Sequence, residues 1–400
     1  MANGTGLVES GKSEMKFLWC CSIVIAKNLN FAIQNQTGNP RRSIAVLLAV
    51  SGYIRGLLAM SSTTKSNKNF FKNFTPLVAR DKPIGGNSSS STEIIVISIN
   101  ATGTRLVTSR TDKSIRIWKS TPERLVDPII VEDAHSRAVE CVSWNPKTEH
   151  SFATVGRDEY IKLWKGHTRA LERSVKVEKL LGQPEPVALK IVHYSPDGEL
   201  MVAVDRDSTV ILFAPQNNYK KVAEIKLHEH VYDLVWFNFN HGYFACGLHD
   251  GTIPIYKIVP NEDNSYDVVL KETLTGHRSS VTSLAVDPRG TFLAAGSNEG
   301  VLSFWNTASM INNRVVTDVD ESIACIDASR DGTYVAVTYD GGSNIRIFDH
   351  DSGEQVYEVP DSVSGELTFA NIAWFPNKTS FAYSSNYGTT LTLMKKPERG

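Results

Sequence analysis

From about residue 90 to the C-terminal end, one pattern of apolar and polar positions recurs along the chain. An alternating apolar stretch runs into a turn rich in Pro, Asp, Asn and Gly. A second apolar stretch follows and stops near an acidic residue, and a third ends in an aromatic side chain. The third stretches close with Ile117-Trp118, Leu163-Trp164, Leu212-Phe213, Ile255-Tyr256, Phe304-Trp305, Ile347-Phe348 and Thr392-Leu393, whose last residues are 46, 49, 43, 49, 43 and 45 positions apart. Period-two alternation over such short stretches is a strand signal. Its regular return predicts an all-β chain made of seven small antiparallel sheets.

The turns agree with that division. Asn145-Pro146-Lys147, Ser195-Pro196-Asp197-Gly198, Asp287-Pro288-Arg289-Gly290 and Arg330-Asp331-Gly332 carry hairpin chemistry, as do Asn100-Ala101-Thr102-Gly103, Asn240-His241-Gly242 and Pro376-Asn377-Lys378. Pro presets φ at such sites, and Gly or Asn accepts positive φ. The acidic mark is equally regular. Asp112, Asp158, Asp207, Asp250 and Glu299 each precede the closing aromatic by six residues, which predicts a carboxylate in the tight turn before the third strand. The sixth copy stretches this spacing, with Asp340 eight residues before Phe348, and the seventh has Tyr387 in place of the acid.

With these features the chain resembles the WD-repeat proteins, which implies a seven-bladed β-propeller. In that family a His before the first strand, a Ser or Thr on the second, the turn Asp and the third-strand Trp form a buried hydrogen-bonded tetrad. His135, Thr154, Asp158 and Trp164 fill all four places in the second repeat. The first repeat has Thr108, Asp112 and Trp118 without a His. The fifth has His277, Glu299 and Trp305, with Ala295 where a hydroxyl is expected. A half-made polar network is costly, so the incomplete repeats are expected to pack with apolar groups instead. Ring closure in the family takes the outer strand of the last blade from before the first repeat. The candidate is Thr75-Pro76-Leu77-Val78-Ala79-Arg80, followed by a Gly- and Ser-rich loop from Asp81 to Ser91. The propeller is placed at residues 60–400.

Charge changes the picture at the N-terminal end. The formal net charge of -1 hides ten Lys or Arg against Glu9 and Glu14 in residues 1–80, which leaves the rest of the chain acidic. An acidic body argues against a broad surface for nucleic-acid backbones, so any RNA or DNA contact is expected to be indirect. The start contains apolar runs at Phe17–Ala26 and Ile44–Met60. The first is about half a membrane span, and Arg55 inside the second would cost roughly 2.5–3.5 kcal/mol to insert, so no membrane association is expected. A mitochondrial presequence is a further reading of this acid-poor start. Residues 1–59 are taken as a leader outside the propeller, either disordered or not native to the protein, with Met60 as the natural start. The five cysteines have no CxxC spacing, which fits a reducing compartment.

No Walker, Rossmann or GxSxG pattern occurs, and no enzyme activity or cofactor is expected. His228-Glu229-His230 with His241 and His249 is the one grouping that invites a metal reading. Turn and connector positions explain these residues without convergence on a tetrahedral site, and no metal is expected. The residue before each turn acid projects from one face of the disc. Arg157, Arg206 and His249 hold this place in consecutive repeats and are the candidate partner-binding residues. Ordinary solvated surface charge is the simpler reading; an anchor for an acidic or phosphate-bearing partner is the alternative.

Among WD-repeat families, Tyr194-Ser195-Pro196-Asp197-Gly198, Val231-Tyr232-Asp233-Leu234-Val235-Trp236, Asp287-Pro288-Arg289-Gly290 and Ile372-Ala373-Trp374-Phe375-Pro376 resemble the WD-repeat subunits of the THO/TREX complex. The resemblance implies a non-catalytic nuclear scaffold that binds the large α-helical THO subunits and couples transcription to mRNP assembly and mRNA export. The alternative is another WD-repeat adaptor, such as a ubiquitin-ligase substrate receptor or a nuclear-pore mRNA export factor.

Overall fold

A computed structural model of the chain describes residues 68–81, 92–121, 124–178, 187–238, 242–262, 265–377 and 379–397. The proposed leader at 1–59, His241 and Lys378 lie outside the described residues, as does the loop that follows Asp81.

The strands form seven four-stranded antiparallel sheets, the blades of a β-propeller. Six blades are sequential meanders. Blade two, for example, runs through Cys141–Trp144, Ser151–Val155, Tyr160–Lys165 and Leu171–Lys176. The inner strands begin at Ile94, Cys141, Leu189, Val231, Val281, Ile323 and Ile372, and each touches the inner strand of the next blade, the seventh closing on the first. Burial follows from this stacking. Second strands such as Phe292–Ser297 are buried at every position because both faces meet a neighbouring blade. Outer strands such as Leu171–Lys176 are almost wholly exposed. In blades one, three, four, five and six the first pairing shifts register at the start of the inner strand, as between Ile94 and Val96. Such a bulge sharpens local twist, which a radial blade needs.

Blade seven is closed from the other end of the chain. Thr75–Val78 pairs antiparallel with the third strand, Thr75 opposite Lys395 and Val78 opposite Thr392. The strand is shorter than the stretch expected from the sequence. It is preceded by a feature that the repeat pattern does not mark. Phe71 is buried against Tyr334, Tyr357 and Trp374, and Phe74 stacks on Phe381, so this segment plugs the seam between blades six and seven.

Inner strands are also stitched by side chains. Asp327 accepts the amides of Ala328 at 2.9 Å and of Trp374, in blade seven, at 2.7 Å. Asp233 does the same with Leu234 and, in blade five, Leu284, both at 2.8 Å.

Candidate interaction surface on the upper face

The upper face carries the turns between second and third strands and the links from each outer strand to the next blade. In blade two, Trp164 Nε1 donates to Thr154 Oγ1 at 2.8 Å, and Thr154 Oγ1 lies 2.8 Å from His135 Nε2. His135 Nδ1 is 2.9 Å from Asp158 Oδ2. One proton arrangement satisfies all four groups: the Thr154 hydroxyl donates to Nε2, and Nδ1–H donates to the carboxylate. Burial opposes ionisation of Asp158, but the His135 contact and the amides of Tyr160 and Ser136 outweigh it and hold the carboxyl below the usual range. Gly156 leaves room for the imidazole, since a Cβ there would stand 2.7 Å from His135 Cβ.

The first and fifth repeats keep polar networks, contrary to the apolar replacement expected from the sequence, whereas Ala203 and Phe213 of blade three and Cys246 and Tyr256 of blade four pack in apolar clusters. In blade five the hydroxyl comes from the third strand. Ser303 lies opposite Ala295, accepts Trp305 Nε1 at 2.9 Å and meets His277 Nε2 at 2.7 Å. In blade one, which has no tetrad His, Trp118 Nε1 donates to Thr108 Oγ1 at 3.1 Å, and buried Arg110 and Arg116 bind the two oxygens of Asp81 at 2.7 and 2.9 Å. Arg116 also reaches Asp112 at 3.3 Å. In blade three it is buried Asp205 that accepts the Thr209 amide at 2.8 Å, two residues before the turn acid inferred from spacing, Asp207, which is exposed.

Arg157 and Arg206 are brought together. Both are half exposed and both turn toward Glu140, Arg157 in direct ion pairing and Arg206 at 3.8 Å. With Arg137 they line a groove of about 840 Å³ between blades two and three. Arg157 holds this place with a left-handed backbone, φ 56°, tied by its amide to the Leu189 carbonyl of blade three. His249 sits one blade further round, 2.9 Å from Ser280 Oγ and 3.3 Å from Tyr232 OH. Between them Lys190 lies over the Tyr232 ring, 5.1 Å from its centre. Burial lowers the Lys190 pKa, against the pull of Asp233 and Glu140 and with the help of Arg206 and Arg157. Arg137, Lys190 and Glu140 escape a reading by spacing because they lie on connectors and inner strands, where no repeat position marks them.

Beside this rim a central cavity of about 1430 Å³ is lined by inner-strand residues of all seven blades. Among the described residues no group of three or more His, Cys, Asp or Glu is placed to hold a metal ion, and no helix is long and apolar enough to cross a membrane. Cys141, Cys246 and Cys325 are free thiols.

Residues 84–119, 127–165, 219–257 and 269–306 match the family "WD domain, G-beta repeat". The chain is a seven-bladed β-propeller that carries WD40 repeats; the first three strands of blade three and all of blades six and seven lie outside the matched segments but follow the same strand order. It is 24% identical over 289 residues to THO complex subunit 3 of Arabidopsis thaliana, across 72% of this chain and 84% of that one. It is 21% identical over 318 residues to Protein TEX1 of Saccharomyces cerevisiae, across 77% and 73%. It is also 27% identical over 249 residues to WD repeat-containing protein AAC3 of Dictyostelium discoideum, across 56% of this chain but only 48% of that protein.

Proposed function

We propose that the protein is a non-catalytic scaffold subunit of the nuclear THO/TREX complex, where it couples transcription to mRNP assembly and mRNA export. The observation that carries this reading is the breadth of similarity: the alignment with THO complex subunit 3 takes in 84% of that chain, a whole-protein likeness, whereas the likeness to AAC3 stops at about half. A rigid propeller suits the task, because its stacked sheets hold many loops in fixed relation with little ordering cost on binding. The partners are the large α-helical THO subunits and other THO/TREX proteins. The groove with Arg137, Arg157 and Arg206 receives an acidic segment of one of them, since guanidinium forks on an otherwise acidic body select and orient carboxylates.

The test is a pull-down of the tagged full chain, with bound THO subunits quantified by mass spectrometry. Arg157→Glu with Arg206→Glu is expected to release at least one THO subunit while the circular dichroism spectrum stays that of the wild type. Because both arginines face Glu140, Arg157→Ala with Arg206→Ala is run in parallel, so that new repulsion inside the blade is not mistaken for a lost contact. Full recovery of every partner by both variants would make these arginines ordinary surface charge. A wild-type pull-down without THO subunits would reject the THO assignment and favour another WD-repeat adaptor, whose own partners would be identified in the same sample.

A further inference from the structure

The upper rim of blades five to seven is opposite in character to the arginine rim. Its loops, residues 317–322, 340–345, 359–371 and 386–390, contain no lysine or arginine, and they expose Asp318, Asp320, Asp340, Asp361 and Glu366. Within this acidic arc three large apolar side chains stand in solvent: Leu367 at 78% exposure, Phe369 at 59% and Tyr387 at 65%.

Their exposure is held in place by the protein. Glu93, itself 8% exposed, accepts the amides of Glu366 at 3.2 Å and Leu367 at 3.0 Å and the hydroxyl of Thr368 at 2.8 Å. The amide of Gly365 closes the turn onto the Thr368 carbonyl at 3.0 Å, and a Cβ at Gly365 would stand 2.8 Å from the Tyr387 carbonyl, so the two apolar loops lie in contact. Asn371 Nδ2 donates to the Phe369 carbonyl at 2.8 Å. The acidic loops join the same framework, since Ser364 Oγ donates to the Tyr339 carbonyl at 2.5 Å and the Asp340 amide to the Ser322 carbonyl at 3.0 Å. Leu367, Phe369 and Asp340 share the mouth of the central cavity.

A buried carboxylate here fixes backbone whose effect is to keep apolar side chains in water. Single exposed apolar residues are ordinary on a protein surface, but a group of three on two touching loops, the one with Leu367 and Phe369 clamped by Glu93, has the make-up of a binding anchor: large apolar area already held in place before any partner arrives. The surrounding carboxylates decide which partner, because they repel acidic chains and draw in cationic ones. We propose that the rim of blades five to seven docks a basic segment of a partner protein in which apolar side chains alternate with lysine or arginine, the apolar groups covering Leu367, Phe369 and Tyr387 and the cations meeting Asp318, Asp340 and Glu366. This surface is independent of the arginine groove and of the THO assignment.

The probe is a fluorescent synthetic peptide in which arginine alternates with leucine, titrated with the full-length protein and followed by anisotropy. Two control peptides replace every arginine with glutamate or every leucine with serine. Saturable binding of the first peptide, weakened by salt and at least about tenfold tighter than either control, is expected. Leu367→Ser with Phe369→Ser, exposed positions where the fold is not at stake, should weaken it by at least about tenfold. Asp340→Asn with Glu366→Gln should weaken it and flatten the salt dependence. Glu149→Gln with Glu262→Gln, acids outside this rim, should bind as the wild type does. No binding to the wild type, equal binding of the glutamate peptide, or equal loss in the Glu149/Glu262 variant would overturn the proposal. A dimer seen by sedimentation equilibrium that dissociates in the Leu367/Phe369 variant would overturn it too, by showing that a second copy is the occupant.

Discussion

The hydrogen bonds that run from Trp164 through Thr154 and His135 to Asp158 give each buried proton of blade two one acceptor, so removing a single member strands the others. Asp158→Ala should therefore lower unfolding stability by about 1–3 kcal/mol, and an unchanged denaturant midpoint would remove the network from the structural account. Blade five offers a sharper version. Ser303→Ala leaves His277 and Trp305 without their shared oxygen, and a similar loss is expected. Adding Ala295→Ser, directly opposite in register, restores a hydroxyl on the second strand where blade two carries Thr154, and should recover part of that loss. A double variant no more stable than Ser303→Ala would refute the equivalence of the two positions. Asp327 makes a pH prediction of known sign. Burial pushes its carboxyl up to about 7, against the two amides that favour the charged form. Between the ordinary carboxylate range and that value the folded state keeps a proton that the unfolded state has lost, so stability falls as pH rises through this window, by about 1.4 kcal/mol per unit at most. Asp327→Asn removes the dependence. Its stability relative to the wild type should grow from about pH 4 to about pH 7 and then level off; a pH-independent difference would show a carboxyl that ionises normally.

At the level of elements, strands and turns were legible because each blade repeats the same local needs: apolar alternation, a turn that takes Pro or Gly, and an aromatic closing the third strand. The positions of Trp118, Trp164 and Trp305 follow from that alone. What spacing could not supply is compensation from another strand or from outside the repeats. Ser303 does the work expected at position 295, Asp205 takes the turn amide of blade three, and Asp81 reaches from the N-terminal segment to two arginines of blade one. The cationic groove was half legible, as Arg157 and Arg206 share a repeat position, whereas Arg137, which lines the groove, and Glu140, which faces both arginines, hold no repeat position that would mark them. The aromatic segment before the first strand was missed altogether, since Phe70, Phe71 and Phe74 belong to no repeat and find partners only when the ring closes. Phe71 is the member with the deepest burial, and Phe71→Ala should cost about 3–5 kcal/mol. Phe70→Ala, at a half-buried ring, should cost clearly less. Equal effects in urea melts would mean that the seam between blades six and seven is not organised around Phe71.

The whole ring depends on how its two chain ends meet. Thr75–Val78 supplies the outer strand of blade seven, yet all four of its residues are exposed, so the strand buries little apolar surface of its own. Its hold comes from both sides: Phe71 and Phe74 before it, packed into blades six and seven, and Asp81 after it, paired with Arg110 and Arg116 of blade one. Three fragments, 68–400, 75–400 and 81–400, separate these contributions. The 75–400 fragment keeps the strand and loses its aromatic plug, so it should melt below 68–400 through lost burial alone. The 81–400 fragment loses the strand as well, and the third strand of blade seven then presents unpaired amides and carbonyls along Thr392–Lys395. A bare edge is a template for pairing with other chains, so this fragment should melt no higher than 75–400 and, unlike it, should aggregate with rising concentration. If 75–400 melts with 68–400, the aromatics are not the clasp. If 81–400 stays as soluble as 75–400, the edge of blade seven is covered by something other than Thr75–Val78, and the closure described here is not what holds the ring shut.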